Sequence, residues 1–450
     1  MSLLPLKFLH LQGERRMIIR TAISTVLAGI LFLPLPVKAG EVFSMEAAVM
    51  RALEKNPDIE NAHYSLQAAE SSKKAARSSF GPSVSASYGY TRYSEERSGR
   101  ERNATTAAVK LSQPLFTGFN LLNSLQKAEL QEERQALQLE SQKLAVAGDV
   151  QEAFISYLKA QESVKSAQRS LKRAKVQLDM ASTAVRIGLR PRLDVLQAEV
   201  DVAQQEAQLI KHENDRAVWL TRLNTLLAMP ADAEADYQGS LSVYPFEGTL
   251  EACFQKAMDQ RPDLLMARKA VEIALKDLGI TRSAFWPQVS LNAAWNTSGS
   301  TLKAAGSRNS KTGYAYAEGG VSISWTLFNS GKRWFLNEQG ERQVKALEAA
   351  VRSSINNCAY TVRSNLLSAQ DAYRSVQVSS RAVTRAKESY EDARMRYELQ
   401  SGSWLDLLTA QEALSNAELS EISSRANCLL ALSKLYKNMG ELRPDLTGAH

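Results

Sequence analysis

The chain has 450 residues, 44% of them hydrophobic and 23% charged, with a formal net charge of +7. That length suits one large domain or two to three ordinary ones, and the balance is too polar for a multi-span helical membrane protein. Glycine (22) and proline (12) are scarce, which excludes a turn-punctuated all-β sandwich and a disordered chain. Four histidines and three cysteines leave little from which to build a metal site or a nucleophile, so no enzyme and no cofactor are expected. The basic excess is local. Residues 1–39 hold Lys7, Arg15, Arg16, Arg20 and Lys38 against Glu14 alone, a net of +4, which leaves about +3 for the rest and argues against a nucleic-acid partner.

The first element is an export signal. Arg15, Arg16 and Arg20 precede an apolar run from Thr21 to Leu33, and Val37-Lys38-Ala39 ends in a small residue before Gly40. A basic start, a short apolar core and a small terminal residue read as a signal peptide over 1–39. The run falls short of the roughly 20 residues that a spanning helix needs.

The remainder is written twice. Shifted by 205, residues 46–85 align without a gap on 251–290, with thirteen of forty positions identical, among them Pro57/Pro262, Asp58/Asp263, Phe80/Phe285 and Pro82/Pro287. Shifted by 212, Val109, Ser112, Leu115 and Phe116 meet Val321, Ser324, Leu327 and Phe328, and Leu193-Asp194 meets Leu405-Asp406. The halves are 40–240 and 241–450, duplicated half-molecules too long for solenoid units.

Each half predicts the same order. A helix comes first, at 44–79 and 249–284, broken at Pro57 and Pro262 because proline removes a backbone donor and clashes with the preceding turn. Two-fold periodicity follows. Val84, Ala86, Tyr88 and Tyr90 alternate with Ser83, Ser85, Ser87 and Gly89, so strands are expected at about 83–93 and 107–116, and again at about 287–296 and 314–327. The polar segments 94–106 and 297–313 join them as loops, expected to face outside the cell. Then each half runs proline-free, from Asn120 to Arg190 and from Lys332 to Arg443. From Val344 through Cys358 and Leu366 to Val376 the apolar residues recur every three or four positions, which predicts a helix on the order of 100 Å long. Tips at about 188–192 and 400–404 reverse the chain into returning helices. The first of these is expected to bury a seam of Leu193, Leu196, Val200, Ala203, Ala207 and Ile210.

Four strands of about ten residues match tilted membrane staves, and the aromatics around them, Tyr88, Tyr90, Tyr93, Trp286, Trp295, Tyr314, Tyr316 and Trp325, match interfacial girdles. Four strands cannot close on themselves in lipid, so other copies must complete a barrel. An exported coiled-coil or adhesin-like rod is the alternative reading, but a rod has no use for alternating, aromatic-rich strands.

The repeated Asn/Arg-Pro-Asp segments, the Pro-x-Val-Ser strand starts, the Leu-Phe strand ends and the two tips resemble the TolC family of outer-membrane efflux and secretion channels. The tips read Val185-Arg186-Ile187-Gly188-Leu189 before Asp194-Val195, and Tyr397 before Leu405-Asp406. The resemblance covers 41–440. It implies a mainly α fold with a small membrane β-barrel portion, in a homotrimer whose twelve strands form one barrel and whose twelve helices form a periplasmic tunnel. It also implies a passive exit duct in the outer membrane, recruited by a periplasmic adaptor and an inner-membrane transporter. Its gate is implied at Asp194, Tyr397 and Asp406, with Arg190 and Arg192 as bridging residues. Gly188, Leu189, Ser401 and Gly402 are the implied adaptor-contacting tip. The family pattern expects a basic residue where Gly402 stands and a second acid where Thr409 stands. Because the first returning helix is expected to bury Leu193 and Leu196, Asp194 is expected to project away from that seam, either to the lumen or outward; the gate reading takes the lumen, with Asp194, Tyr397 and Asp406 near the three-fold axis at the periplasmic end.

Overall fold

A computed structural model describes residues 42–95, 102–299, 314–444 and 446. The expected export signal at 1–39, and residues 96–101 and 300–313 of the two polar loops, lie outside the described residues. The chain divides between Val42 and Phe43, and the helices and the four-stranded sheet all belong to the unit from Phe43 onward.

The first helix of each half is broken at its proline. α1 (Met45–Lys55) and α2 (Pro57–Ser78) meet at Asn56, whose side-chain oxygen accepts from the Asp58 N–H at 2.9 Å while its amide donates to the Leu226 carbonyl at 3.0 Å. Asparagine thus caps the new helix start, and Pro57 sits at the first helical position, where its missing donor costs nothing.

Two hairpins follow, one per half: β1 (Ser83–Arg92) with β2 (Asn103–Phe116), and β3 (Gln288–Gly299) with β4 (Tyr314–Ser324). They join through β2 and β3 into one four-stranded antiparallel sheet in chain order. Extended backbone reaches further into both expected loops than alternation indicated. β2 starts at Asn103 rather than 107, and β3 runs on to Gly299. Thr105 and Thr106 pair with Gly299 and Ser298, so the ladder continues through residues that carry no apolar alternation. β4 stops at Ser324, short of 327. Of the aromatics around the strands, Tyr88, Trp295 and Trp325 are 58%, 50% and 55% exposed.

Two consecutive left-handed residues turn each hairpin into its long helix, Gly118-Phe119 in one half and Ser330-Gly331 in the other. Glycine is required at 118 for space as well as φ, since a Cβ there would lie 2.6 Å from the Ser283 carbonyl oxygen.

α3 (Asn120–Arg186) and, after the elements α4 (Arg192–Leu226), α5 (Leu250–Gln260) and α6 (Pro262–Arg282), α7 (Lys332–Glu398) are the long helices, 67 residues each. At 1.5 Å per residue each is about 100 Å long. α4 returns along α3, and α8 (Trp404–Met439) returns along α7. The α7 seam is as periodicity predicts, with Val344, Cys358, Val362, Leu366, Ala369 and Val376 buried. The α4 seam is not. Leu193, Leu196, Val200 and Ile210 are 47–59% exposed, and the buried face instead carries Asp194, Ala198 and Asp201. Towards its tip end α4 therefore turns small and polar residues inward and leaves Leu193 and Leu196 uncovered, whereas Leu223 and Leu226 at its other end are buried.

Among the described residues, three cores hold the helices. One surrounds Tyr237 midway along the bundle, where its ring stacks on Phe43 at 5.6 Å and its hydroxyl donates to Asn224 at 2.8 Å. A second gathers Cys253, Cys358 and Cys428, all buried and unpaired. The third lies at the tip. No described helix is long and apolar enough to cross a membrane.

Candidate functional site

The two tips lie at the far ends of α3 and α7 from the sheet. Each helix stops the same way. Gly188 takes a left-handed φ of 76°, and the Leu189 N–H turns back to the Ala184 carbonyl at 2.9 Å. In the second half Gln400 takes φ 63°, and the Ser401 N–H reaches the Arg396 carbonyl at 2.9 Å. The glycine-like stop of the second tip is thus Gln400, not Gly402. A residue with a Cβ is held where glycine is preferred.

Asp194 and Asp406 both stand third in their returning helices, yet they do different work. Before Asp406 stands Ser403, and the two form a capping box: the Asp406 N–H donates to Ser403 Oγ at 3.1 Å, and the Ser403 N–H donates to Asp406 Oδ2 at 3.2 Å. The Ser403 hydroxyl also donates to Asp406 Oδ2 at 2.7 Å, and that bond first, with the Ser403 N–H second, holds the Asp406 carboxyl below its ordinary range. Before Asp194 stands Pro191, which has neither an N–H nor a capping side chain. The Asp194 carboxylate is left free of cap duty. It is buried, 7% exposed, and accepts the Tyr397 hydroxyl at 3.1 Å. Asp194 does project away from Leu193 and Leu196, but the seam is the reverse of the one expected: the leucines face out, and the aspartate faces the other helical pair.

Tyr397 is the centre of this cluster. It is 4% exposed, its ring meets Trp404 edge-on at 5.5 Å, and the Arg190 guanidinium lies over its face at 4.4 Å. Burial, with the adjacent Asp194 charge and hydrogen bond, pushes its phenol up to about 12, against the opposing pull of Arg190. Arg190 also donates to the Tyr397 carbonyl at 3.2 Å and the Gly402 carbonyl at 3.0 Å. Position 402 is the repeat partner of 190, so the Arg190 guanidinium reaches from the first tip to the carbonyl of its own repeat partner in the second. Gly402 cannot easily carry a side chain, since a Cβ would lie 3.0 Å from Arg396 Cβ. Arg192 is exposed and is not drawn into the cluster. Gly188, Leu189 and Ser401 are exposed at the end of the molecule, beside Ile187, Leu399 and Leu405, which are 61%, 72% and 65% exposed.

Further buried polar pairs climb from the tip. Gln177 donates to Tyr390 at 3.2 Å, and Gln411 donates to Asp201 at 2.7 Å. Sequence reading missed Trp404, Gln177, Tyr390, Asp201 and Gln411. For Asp194 one signal was legible in the repeat itself: proline at 191 opposite serine at 403. Asp201 and Gln411 had none, because they are not repeat partners. Among the described residues no cluster of His, Cys, Asp or Glu could hold a metal.

The family model described as "Outer membrane efflux protein" matches residues 48–229 and 253–441, one segment in each half. The chain is 24% identical over 406 residues to the outer membrane protein TolC of Vibrio cholerae, covering 87% of this chain and 89% of the relative. It is 23% identical over 413 residues to the toluene efflux pump outer membrane protein TtgF of Pseudomonas putida, covering 88% and 83%. Its fold is similar to the crystal structure of the outer membrane protein VceC from Vibrio cholerae, with a TM-score of 0.76 and 16% identity over 88% of this chain and 96% of that one. Two matched halves over most of its length show that the chain belongs to the outer membrane efflux protein family.

Proposed function

We propose that the chain is the outer-membrane exit duct of a tripartite pump or type I secretion system, shut at its periplasmic end by the tip cluster. Three copies close twelve strands into one barrel and pack twelve helices into a tunnel, and an adaptor with an inner-membrane transporter recruits it. The duct is passive, and driving energy comes from those partners. The carrying observation is the sheet: four strands with an apolar face exposed, both outer edges unpaired within the described chain, at the end of helices about 100 Å long. The uncovered leucine row of α4, at Leu193, Leu196 and Val200, supplies a face for a neighbouring copy.

In the gate the two aspartates divide the work. Asp406 is solvent-facing, and three copies around an axis make an acidic ring that attracts cations. Asp194 and Tyr397, braced by Arg190, hold the two helical pairs together and keep the ring narrow. The exposed apolar residues Ile187, Leu189, Leu399 and Leu405, around Gly188, Ser401 and Gly402, are the contact for the adaptor.

Channels in planar bilayers test this division. Asp406→Asn is expected to weaken cation selectivity and block by divalent or trivalent cations from the periplasmic side. Asp194→Asn is expected to raise resting conductance and leave a measurable block. Unchanged selectivity and block in the double Asn variant would move the gate elsewhere.

A further inference from the structure

Strand register sorts the sheet into two faces. One carries Val84, Tyr88, Leu291, Trp295, Val321 and Ile323, which are 41–71% exposed. The other is a ladder of small polar groups, in which Ser112 donates to Asn292 at 2.9 Å and the Asn292 amide donates to Ser322 at 2.9 Å. In a closed barrel the apolar face meets lipid and the polar face lines the lumen.

Among the described strand residues the polar face carries two charged side chains. They lie in one cross-strand row: Ser85 pairs with Lys110, Lys110 with Ala294, and Ala294 with Glu318. Lys110 stands on β2 and Glu318 on β4, two strands apart, or about 10 Å at ordinary strand spacing. That exceeds the reach of an ion pair. Glu318 instead accepts from the Asn296 amide at 3.0 Å, and Lys110 makes no ion pair with a described residue. Both charges stand exposed on the polar face.

We propose that Lys110 and Glu318 line the barrel lumen as a charge-balanced ring, alternating in sign at every second strand, which lets cargo of either charge leave. The inference rests on the reading that three chains close one barrel. Strand order then places three lysines and three glutamates around a wall roughly 24 Å across, with strand tilt staggering neighbours by roughly 6 Å. The ring sums to zero, so neither sign of ion is enriched there. Removing one sign leaves three like charges, each about one screening length from its neighbours' positions at physiological salt.

The test uses full-length channels in outer membranes, labelled from outside with small methanethiosulfonates, one bearing a trimethylammonium and one a sulfonate. The three native cysteines are buried and do not compete. Lys110→Cys leaves the glutamates, and the cationic reagent is expected to react about threefold faster than the anionic one at physiological salt. Glu318→Cys leaves the lysines, and the preference is expected to invert by a similar factor. Both preferences should grow at low salt and vanish near 1 M. Leu111→Cys, on the lipid face, should resist both reagents. Equal reagent preference in the two variants, or labelling of Leu111→Cys with protection of Lys110→Cys, would overturn the ring. Gel migration of the same samples separates the two ideas: such a result in intact trimers overturns the ring and leaves the duct, whereas a wild-type chain that never forms trimers overturns both.

Discussion

Tyr397→Phe removes one hydroxyl and leaves a ring that still packs on Trp404 and under Arg190. The lost bond runs to a carboxylate that is 7% exposed, over 3.1 Å. Removing one partner of a buried bond to a charged group costs about 1–3 kcal/mol, since Asp194 loses its donor where water is scarce. Aromatic packing is retained, so the lower end, about 1 kcal/mol per chain, is the better expectation. If three chains close one gate together, the closed state loses about 3 kcal/mol, on the order of a hundredfold in the closed-to-open ratio. Single-channel recording should show this as a longer-lived open state, and hydrogen exchange should quicken at 390–410 with no change near Tyr237. The Tyr397 phenol, pushed up to about 12, carries a pH signature of its own. A raised acid pKa means that the folded tip holds the proton more tightly than the unfolded chain. The stabilisation is therefore full below pH 10 and is lost as pH rises from 10 towards 12. Wild-type tips should loosen in that window, and the phenylalanine variant should lack the transition. A variant with wild-type open lifetime and wild-type exchange at 390–410 would show that the bond does not hold the tip closed.

The other expectations are more local. Gln400→Gly should stabilise the second tip by up to about 1 kcal/mol, read as slower exchange around 396–404, because it relieves a left-handed side-chain residue; faster exchange would mean that flexibility in the unfolded chain outweighs the strain. Ser403→Ala should cost about 1 kcal/mol at the start of α8 through loss of its cap, with assembly into trimers retained. The Asp406 carboxyl is held below its usual value by Ser403, so that cap is at full strength above pH 4 and should fray as pH falls below it; fraying first in the alkaline range would refute the assignment. Cys253, Cys358 and Cys428 should ignore a bulky thiol reagent in folded protein and all react after denaturation, and one reactive native thiol would contradict their place in the second core.

The sequence by itself determined what is periodic. Duplication, the breaks at Pro57 and Pro262, the two hairpins, the 67-residue helices and the α7 seam follow from spacing, because apolar burial repeats every 3.6 residues in a helix and every two in a strand. The need for more copies follows as well, from four strands that cannot close. Tertiary structure alone decided which face of α4 is covered. Periodicity marks an apolar row but not its partner, and Leu193, Leu196 and Val200 belong to a surface that one chain leaves open. It also decided the fates of Asp194 and Asp406. The two look alike in the repeat. Their difference rests on residues three before them, Pro191 and Ser403, and on a tyrosine more than two hundred positions from Asp194. A capping bond is local and can be read from neighbours. A buried bond between two helical hairpins depends on how those hairpins cross, which no spacing within either of them encodes.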